Sequence, residues 1–372
     1  MTLKEIAAEA GVSAMTVSNV INHRDSKVSE ETRERVQAVI DKYRYVPNMS
    51  ARSLSARDSK IIALLLPVDE SKERLEEVSK TDPLRASILK NTLSDHYASA
   101  MVGYLESKLK ELGYYIMLRS YFHGQEVLEL QRHWKVDGCI ILIPRLDDSD
   151  NRLILTRSSC PVVMIDRNYP DLRMLSVGVN DYHGGYLATQ ECIRYGHRKI
   201  AFVSTVAREE VAHSTVIHSR YQGYLAALRD ACIPEEESRL LCFPSSLLDG
   251  RDCGQYILSL SDEERPTALV VTSDSIAIGA IAAMKEGGLR VPQDISVVGY
   301  DDLPMSSLME PSLTTISQDL DAKASAAGAL LKMAIDDPEM RAEHITLDVK
   351  LVERETVTWA PDKIDKNRYG VN

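Results

Sequence analysis

Two groups of polar residues have the types and spacing needed to bind another molecule. Near the amino end, Thr16, Ser18 and Asn19 lie within the stretch AMTVSNVI. Their hydroxyl and amide groups can hydrogen-bond to phosphate oxygens or to the edges of bases. Much later in the chain, Asp166 directly follows the apolar run VVMI, and Asp301 follows ISVVGY. Carboxylates at such positions suit the hydroxyl groups of a small molecule.

Motifs of common enzyme classes are absent from the sequence. It contains no G-x-G-x-x-G, no Walker A lysine loop and no H-E-x-x-H. His183, His213 and His218 do not pair with acids at metal-ligand spacing, and Gly184 and Gly185 indicate close helix–sheet packing rather than phosphate binding. We therefore expect no catalytic residue, no cofactor and no metal. His197, just past a helix, is interpreted as a capping or packing residue.

Length, charge and cysteine usage set further bounds. A chain of 372 residues exceeds the size of one hydrophobic core, so two or three domains are expected. The net charge is −11, yet residues 1–60 carry a balance of +2 and leave −13 for the rest, an asymmetry typical of a chain whose amino end contacts phosphates. There is no apolar run long enough for a membrane span and no signal-peptide core. Six cysteines without a CxxC pair indicate free thiols, and together these features predict a cytoplasmic protein.

The elements that position the first polar group are three short helices. Thr2 and Glu5 form a capping box for the first helix, Gly11 permits the turn, and Ser13 caps a second helix with Val17, Val20 and Ile21 on one face. Ser29 caps a third helix, in which Val36, Val39, Ile40 and Tyr43 are predicted to face inward. The second helix would then present Ala14, Met15, Thr16, Ser18 and Asn19 to a major groove. The alternative is a three-helix bundle whose small residues serve packing alone.

The segment YVPNMSARSLSAR follows these helices. Met49 to Ser55 could form about two helical turns, which are marginal alone in water. Leu54 has no core nearby in the sequence to bury it, so it could be a wedge in a DNA minor groove. The alternative is a plain linker whose leucine packs on the next domain.

Residues 1–60 resemble the headpiece and hinge helix of the LacI/GalR family of bacterial transcriptional regulators. The pieces TLKEIAAEAGVS, TVSNVIN, VSEETRERV and VPNMSARSL match in order and spacing. The resemblance implies that the hinge lies in the minor groove with Leu54 intercalated. Asn19 stands where many members have an arginine that reads guanine, which puts the usual half-site in doubt. The residues expected to contact DNA are Thr2, Ser13, Ala14, Met15, Thr16, Ser18, Asn19, Asn22, Asn48, Ala51, Arg52 and Leu54.

The remaining chain alternates apolar runs with amphipathic segments, which is typical of a doubly wound α/β fold with parallel strands. Ligand sites in such folds lie at the carboxyl ends of the strands. PVVMIDR, VGVNDYHGGYLAT, GHRKIAF, SRYQGYLAAL and PSLTTISQD resemble the two-lobed, periplasmic-binding-protein-like domain of the same family. By that resemblance Asp166, Arg220, Ser273 and Asp301 bind a small effector. Otherwise, Arg220 would be a surface ion pair, and Asp301 with Asp302 would cap the following helix.

Three features depart from the family pattern. Ser273 replaces the commoner asparagine, and Val216 lacks a hydroxyl that some sugar-binding members carry. In addition, VDESKERLEEVSKTDPLRASILKNTL (about 68–94) intervenes between the first strand and the first long helix. This segment is expected to be an extra surface helix, with a lid or an altered subunit interface as alternatives.

Together these features predict an all-α helix-turn-helix headpiece (residues 1–45), a hinge helix (46–60) and a two-lobed α/β domain with parallel sheets (61–358). Lobe 1 is expected at about 61–178 and 318–345, and lobe 2 at about 179–317 and 346–358. The polar tail 359–372 lacks the leucine heptad that makes some members tetramers, so a homodimer is expected. The predicted function is repression at a near-palindromic operator in double-stranded DNA, controlled by an effector expected to be a sugar. The alternative is a stand-alone small-molecule-binding protein or an enzyme that uses the same cleft.

Overall fold

A computed structural model describes residues 2–21, 27–45, 59–68, 72–142, 148–169, 171–235, 239–243 and 247–361. The described residues form two compact units, divided between Ser59 and Lys60. No helix among these residues is long and apolar enough to cross a membrane.

The amino-terminal unit contains three helices: α1 (Leu3–Glu9), α2 (Ala14–Ile21) and α3 (Glu30–Lys42). The predicted capping box is confirmed, because Thr2 and Glu5 bond each other's backbone N–H groups. Gly11 has φ +64° in the turn that leads to α2, a conformation that glycine adopts without strain. The buried apolar residues of this unit are Ile6, Ala7, Ala10, Val17, Val20 and Val36.

The prediction that Tyr43 faces inward is wrong. Tyr43 is 43% exposed and forms the carboxyl cap of α3, where the helix already leaves the core. Its hydroxyl donates to Glu9 Oε1 over 2.8 Å. The polar tip of the ring is thereby satisfied at the surface, which favours exposure of a side chain that is both apolar and polar.

The carboxyl-terminal unit is built on two six-stranded sheets. The first sheet is entirely parallel in the order β11-β5-β4-β3-β1-β2. Its strands are β1 (Ile61–Pro67), β2 (Tyr115–Tyr121), β3 (Gly138–Leu142), β4 (Val162–Ile165), β5 (Leu175–Val179) and β11 (Glu343–Leu347). We call this sheet and the helices packed on it lobe 1.

The second sheet has the order β12-β10-β9-β8-β6-β7, in which only β12 is antiparallel to its neighbour. Its strands are β6 (Ile200–Ser204), β7 (Arg239–Cys242), β8 (Ala268–Val271), β9 (Ser296–Asp301), β10 (Thr314–Gln318) and β12 (Val349–Val352). We call this sheet with its helices lobe 2. The chain passes between the two sheets after β5, after β10 and after β11, so the two lobes are joined by three crossings.

Helices cover both sheets, as expected for parallel strands that are buried on both faces. They are α4 (Lys72–Thr81), α5 (Pro83–Lys90), α6 (His96–Glu111), α7 (Gly124–His133), α8 (Asp148–Arg157), α9 (Asp181–Arg194), α10 (Thr215–Asp230), α11 (Leu247–Ser259), α12 (Asp274–Glu286), α13 (Pro304–Leu308) and α14 (Leu320–Asp336). The intervening segment between β1 and α6 therefore forms two helices, α4 and α5, followed by a 3₁₀ turn at Thr92–Ser94.

The predictions for Gly184 and His197 are confirmed in lobe 2. A Cβ on Gly184 would lie 2.3 Å from the Tyr300 hydroxyl, and one on Gly185 would lie 2.0 Å from the Arg220 carbonyl oxygen. Gly184 thus packs against the strand β9, as predicted, whereas Gly185 packs against the helix α10 and not against the sheet. His197 is buried, its Nδ1 lies 2.9 Å from Thr267 Oγ1, and burial lowers its pKa. Packing is therefore its role. All six cysteines are free thiols.

Candidate DNA-reading helix and effector cleft

The exposed side of α2 carries polar and apolar groups at helical spacing. Met15, Ser18 and Asn19 stand at i, i+3 and i+4, so they share one face, while Val17 and Val20 are buried on the other. Met15 is 68% exposed, so its apolar surface is available to a partner. The face combines an amide and a hydroxyl with an apolar surface, the groups that contact base edges and thymine methyls.

The start of α2 is fixed by its own cap. Ser13 Oγ accepts from the Thr16 backbone N–H over 3.1 Å and lies 2.9 Å from Thr16 Oγ1. Thr2, Ser13, Ala14 and Thr16 are at least partly exposed, and the first two serve as caps. The other residues expected to contact DNA lie outside the described residues: Asn22, Asn48, Ala51, Arg52 and Leu54.

Asp166 follows β4 and occupies the left-handed region at φ +63°. Its two oxygens have different partners. Lys323 Nζ donates to Oδ1 over 2.7 Å, and the Tyr97 hydroxyl donates to Oδ2. Tyr97 is on the first turn of α6, and Lys323 is on α14. Burial, together with the charge of Asp166, raises the Tyr97 pKa well above its ordinary value, so the phenol remains a hydrogen-bond donor.

Arg220 on α10 is buried within lobe 2. Its Nε donates to Asp181 Oδ1 over 2.8 Å and its Nη1 to the Thr272 carbonyl over 2.8 Å. The guanidinium lies 3.5 Å from the centroid of the Tyr300 ring, a cation–π arrangement. The interpretation of Arg220 as a surface ion pair is therefore wrong, because the side chain is only 6% exposed.

The electrostatics of this pair are set by burial and by opposite charge. Burial would lower the Arg220 pKa, but the negative charge of Asp181 and other neighbours raises it above its ordinary value, so the guanidinium stays charged. Burial raises the Asp181 pKa, and Arg220 opposes that rise. The Tyr300 hydroxyl donates a further, longer bond of 3.3 Å to Asp181 Oδ1.

Asp301 is the last residue of β9 and has φ +120°. Gln318 Nε2 donates to its Oδ1 over 2.7 Å. The interpretation of Asp301 and Asp302 as helix caps is wrong, since the N-cap of α13 is Leu303, without a side-chain bond. Asp302 instead accepts from Arg354 Nη2 over 2.6 Å. Neither aspartate therefore caps α13.

Ser273 precedes α12 as its N-cap but makes no side-chain cap bond. The next residue, Asp274, is fully buried and accepts from Ser306 Oγ and Thr315 Oγ1, each over 2.6 Å. Burial raises the Asp274 pKa to about 6, although these hydroxyls oppose the rise. Asp274 thus ties α12 to the strand β10, while the Ser273 hydroxyl is not used by the helix.

The structure brings the four predicted effector residues to one region. Lys323 and Gln318 link Asp166 to Asp301. Lys323 Nζ donates to Asp166 Oδ1 and, over 2.5 Å, to Gln318 Oε1, and Gln318 Nε2 donates to Asp301 Oδ1. The charge of Arg220 acts on Asp301. Ser273 adjoins Thr272, whose carbonyl binds Arg220.

The groups that sequence reasoning missed are Tyr97, Asp181, Tyr300, Gln318 and Lys323. For Lys323 a signal existed, because it is a lone charge on an apolar helix face with Leu320, Ala324 and Ala327.

The segment between β1 and α6 also contacts lobe 2. Arg85 on α5 pairs with Asp249 and, over 2.8 Å, with Asp252, both on α11. Just beyond this segment, His96 Nδ1 on α6 lies 3.2 Å from Ser275 Oγ on α12. The pairs of Arg85 connect α5 to a helix of lobe 2. The extra segment is therefore in contact with lobe 2 and is more than an added surface helix. Among the described residues there is no cluster of histidine, cysteine and acidic groups that could hold a metal.

A helix-turn-helix unit followed by a two-lobed α/β unit is the arrangement of a DNA-binding regulator with a ligand-binding domain. Comparisons with known proteins support this class. Residues 2–48 match the family of bacterial regulatory proteins called lacI, and residues 189–357 match the periplasmic binding protein-like domain. The HTH-type transcriptional repressor PurR of Mannheimia succiniciproducens is 30% identical over 96% of this chain and 98% of its own length. The chain belongs to the lacI family of bacterial regulatory proteins.

Two further similarities extend over the whole chain. The ribose operon repressor of Haemophilus influenzae is 31% identical, over 96% of this chain and 98% of that protein. The solved structure of the lac repressor dimer bound to operator and the anti-inducer ONPF is similar to this chain with a TM-score of 0.78 and a sequence identity of 27%. The similarity covers 96% of this chain and 99% of the lac repressor chain.

Proposed function

We propose that this protein is a sequence-specific transcriptional repressor that binds double-stranded DNA and is controlled by a small effector held between the two lobes. The observation that carries the proposal is one chain with both an exposed reading face on α2 and a cleft of buried polar groups with unused bonding capacity. The relatives named repressors support the same function. We assign residues 1–45 to the headpiece, 46–60 to the hinge and 61–358 to effector binding and dimerisation, with 359–372 as a polar tail.

The effector is proposed to be a sugar bound by Asp166, Arg220, Ser273 and Asp301. Within the described residues, Arg220 uses Nε and Nη1 and leaves Nη2 for a ligand. Asp301 likewise accepts at Oδ1 only. A spare guanidinium donor, a spare carboxylate oxygen and a hydroxyl suit adjacent hydroxyl groups on one molecule, through charge-assisted hydrogen bonds. A solved relative in complex with cellobiose, 26% identical, supports the same ligand class.

Dimer formation is proposed to use the outer side of lobe 1. The strand β2 is at the edge of its sheet, and large apolar side chains on β2 and on α6 are exposed: Tyr104, Leu112, Tyr115 and Leu118. An exposed edge strand with such residues favours pairing with a second copy. Two headpieces would then contact successive major-groove faces of a near-palindromic operator.

Control is proposed to work through the hinge. Because a helix of about two turns is marginal alone, a change in the relative position of the lobes in the two subunits would order or melt it. To move the operator from mostly bound to mostly free, the effector needs roughly 5 kcal/mol of differential affinity between the two states. Leu54 is assigned the minor-groove wedge role, so Leu54→Ala is expected to weaken specific DNA binding and leave effector affinity unchanged.

The test is selection of bound sequences from a random DNA pool by the full-length protein, repeated with a panel of sugars. We expect enrichment of a near-palindromic site and loss of binding with one sugar. Turnover of a sugar by the protein, with no enriched DNA sequence, would instead support the enzyme alternative. Ligand binding without any enriched sequence or turnover would support the stand-alone binding protein.

A further inference from the structure

Lys323 is a lysine without exposure to solvent. It is 0% exposed on α14 and lies in an apolar cluster with Leu320, Ala324 and Ala327. A buried ammonium is costly unless all its N–H groups find acceptors. An ammonium has three such groups. The local structure must therefore supply three acceptors at this point of lobe 1.

Those acceptors come from three different elements. Lys323 Nζ donates to Asp166 Oδ1 over 2.7 Å, to Gln318 Oε1 over 2.5 Å and to the Tyr97 hydroxyl oxygen over 2.9 Å. Asp166 follows β4, Gln318 ends β10 and Tyr97 lies in the first turn of α6. One cation therefore fixes residues from both sheets, and its own hydrogen-bonding capacity is used up.

The bond to Gln318 has a consequence at Asp301. Because Lys323 holds the amide oxygen of Gln318, the amide nitrogen must point the other way. That nitrogen donates to Asp301 Oδ1 over 2.7 Å. Asp301 is fixed by this bond, with its second oxygen left for a ligand. An uninterrupted chain of bonds thus runs from Asp166 in lobe 1 to Asp301 in lobe 2, with Lys323 at its centre.

The charges of the cleft are unbalanced towards acid. Lys323 is paired with Asp166, and Arg220 with Asp181. Asp301 adds a further carboxyl without a bonded cation, so three carboxyls face two cations; burial raises the Asp301 pKa, and the charge of Arg220 opposes that rise. An anionic ligand would find Lys323 already saturated and Arg220 left with Nη2 alone, and it would meet the open oxygen of Asp301. A neutral hydroxyl could instead donate to that oxygen.

We propose that Lys323 is a positioning residue of the effector cleft, and that the acceptors it aligns favour an uncharged polyhydroxyl ligand over its phosphorylated or carboxylated counterpart. The inference rests on the proposed effector role of the cleft and names the ligand class that this cleft selects.

The first experiment measures ligand charge preference with full-length protein in the absence of DNA. D-ribose, D-glucose, D-galactose and cellobiose are tested by calorimetry beside ribose 5-phosphate, glucose 6-phosphate and galacturonate. We expect at least one uncharged sugar to bind, and to bind at least about tenfold more tightly than its anionic form, since like charges cost about that much in the cleft. Tighter binding of an anion would overturn the proposal, as would a panel without any binder at millimolar concentration.

The second experiment tests the positioning role with the sugar found in the first. Lys323→Met removes the donor and leaves the half-buried Asp166 without its cation, so the variant can fail to fold. Gln318→Met removes only the link to Asp301 and changes no charge. For both variants we expect about 10- to 100-fold weaker sugar binding, which is the loss typical of a hydrogen bond to a charged group. We also expect the affinity for the uncharged sugar to exceed that for its anionic form by a smaller factor than in the wild type. Lys332→Met on the same helix, a more exposed lysine paired with Asp336, is the matched control and should bind as the wild type does.

The outcomes separate this inference from the proposed function. A folded Gln318→Met protein with wild-type affinity and wild-type ligand ratio would refute the positioning role, because a purely structural role lowers stability without changing that ratio. Failure of the DNA selection alone would remove the repressor function and leave the ligand preference standing. A protein that is released normally from its operator by a sugar, but that binds uncharged and anionic ligands equally well, would keep the repressor function and remove the ligand preference.

Discussion

Replacement of Arg220 by methionine tests whether the buried pair with Asp181 holds the cleft. Methionine keeps the apolar length of the side chain but loses the bonds to Asp181 and to the Thr272 carbonyl. Removal of one partner of a buried ion pair leaves the other charge uncompensated and costs about 3–5 kcal/mol. A surface pair would cost at most about 1 kcal/mol. The two interpretations of Arg220 thus differ by several kcal/mol.

The matched variant is the double replacement Arg220→Met/Asp181→Asn. It removes the unpaired carboxylate while it keeps an acceptor for the Tyr300 hydroxyl, which lies 3.3 Å from Asp181 Oδ1. We expect the double variant to recover most of the stability that the single variant loses. Arg290→Met, which breaks an exposed pair with Asp294, is the surface control and should leave stability nearly unchanged.

The assay is urea unfolding of the full-length protein, followed by circular dichroism, with sugar binding measured in parallel. A loss below about 1 kcal/mol for Arg220→Met would refute the argument from burial. So would a double variant less stable than the single one. Since folded proteins have only about 5–15 kcal/mol of stability, the predicted loss is large enough to measure and small enough to leave folded protein.

Four shorter predictions follow. Burial raises the Asp274 pKa from 3.8 to about 6, so its contribution to stability is full below pH 3.8 and is lost as the pH rises through 6; the stability of the wild type relative to Asp274→Asn in urea unfolding should fall by about 1.4 kcal/mol between pH 5 and pH 8. Gly185→Ala places a Cβ 2.0 Å from a backbone oxygen of α10, and should cost about 1–3 kcal/mol in the same assay. Asn19→Ala should change the base preferred at one position of selected DNA sites, whereas a uniform loss would mark a phosphate contact. Arg85→Met removes the pair with Asp249, and amide hydrogen exchange in α5 should become faster.

Local features of the sequence predicted local structure well. The cap at Thr2, the turn at Gly11 and the strands at the apolar runs all depend on neighbouring residues, so periodicity and capping rules reach them. Tyr43 shows the limit of the same rules. Its position in the helical period predicts burial, but the helix ends there and a hydrogen bond to Glu9 competes.

The partners of buried charges could not be predicted in this way. Asp181 precedes Arg220 by 39 residues, and Lys323 follows Tyr97 by 226 residues. Such pairs depend on which strands become neighbours and where the chain crosses between the sheets. Arg85 is the clearest case, since its amphipathic segment predicts a helix but gives no indication of Asp249 on the other lobe.

The cost of the cleft is itself an argument for a ligand. Asp301 occupies φ +120°, a backbone conformation that costs a non-glycine residue about 1–3 kcal/mol. Its Oδ1 accepts from Gln318, and no described residue donates to its second oxygen. A ligand that donates a hydrogen bond to this second oxygen gains that bond only when the lobes are placed to hold it. Because the bond chain through Lys323 joins Asp301 to Asp166 in the other lobe, that gain depends on the arrangement of the lobes. Its size, a few kcal/mol, is comparable with what a switch between two states requires.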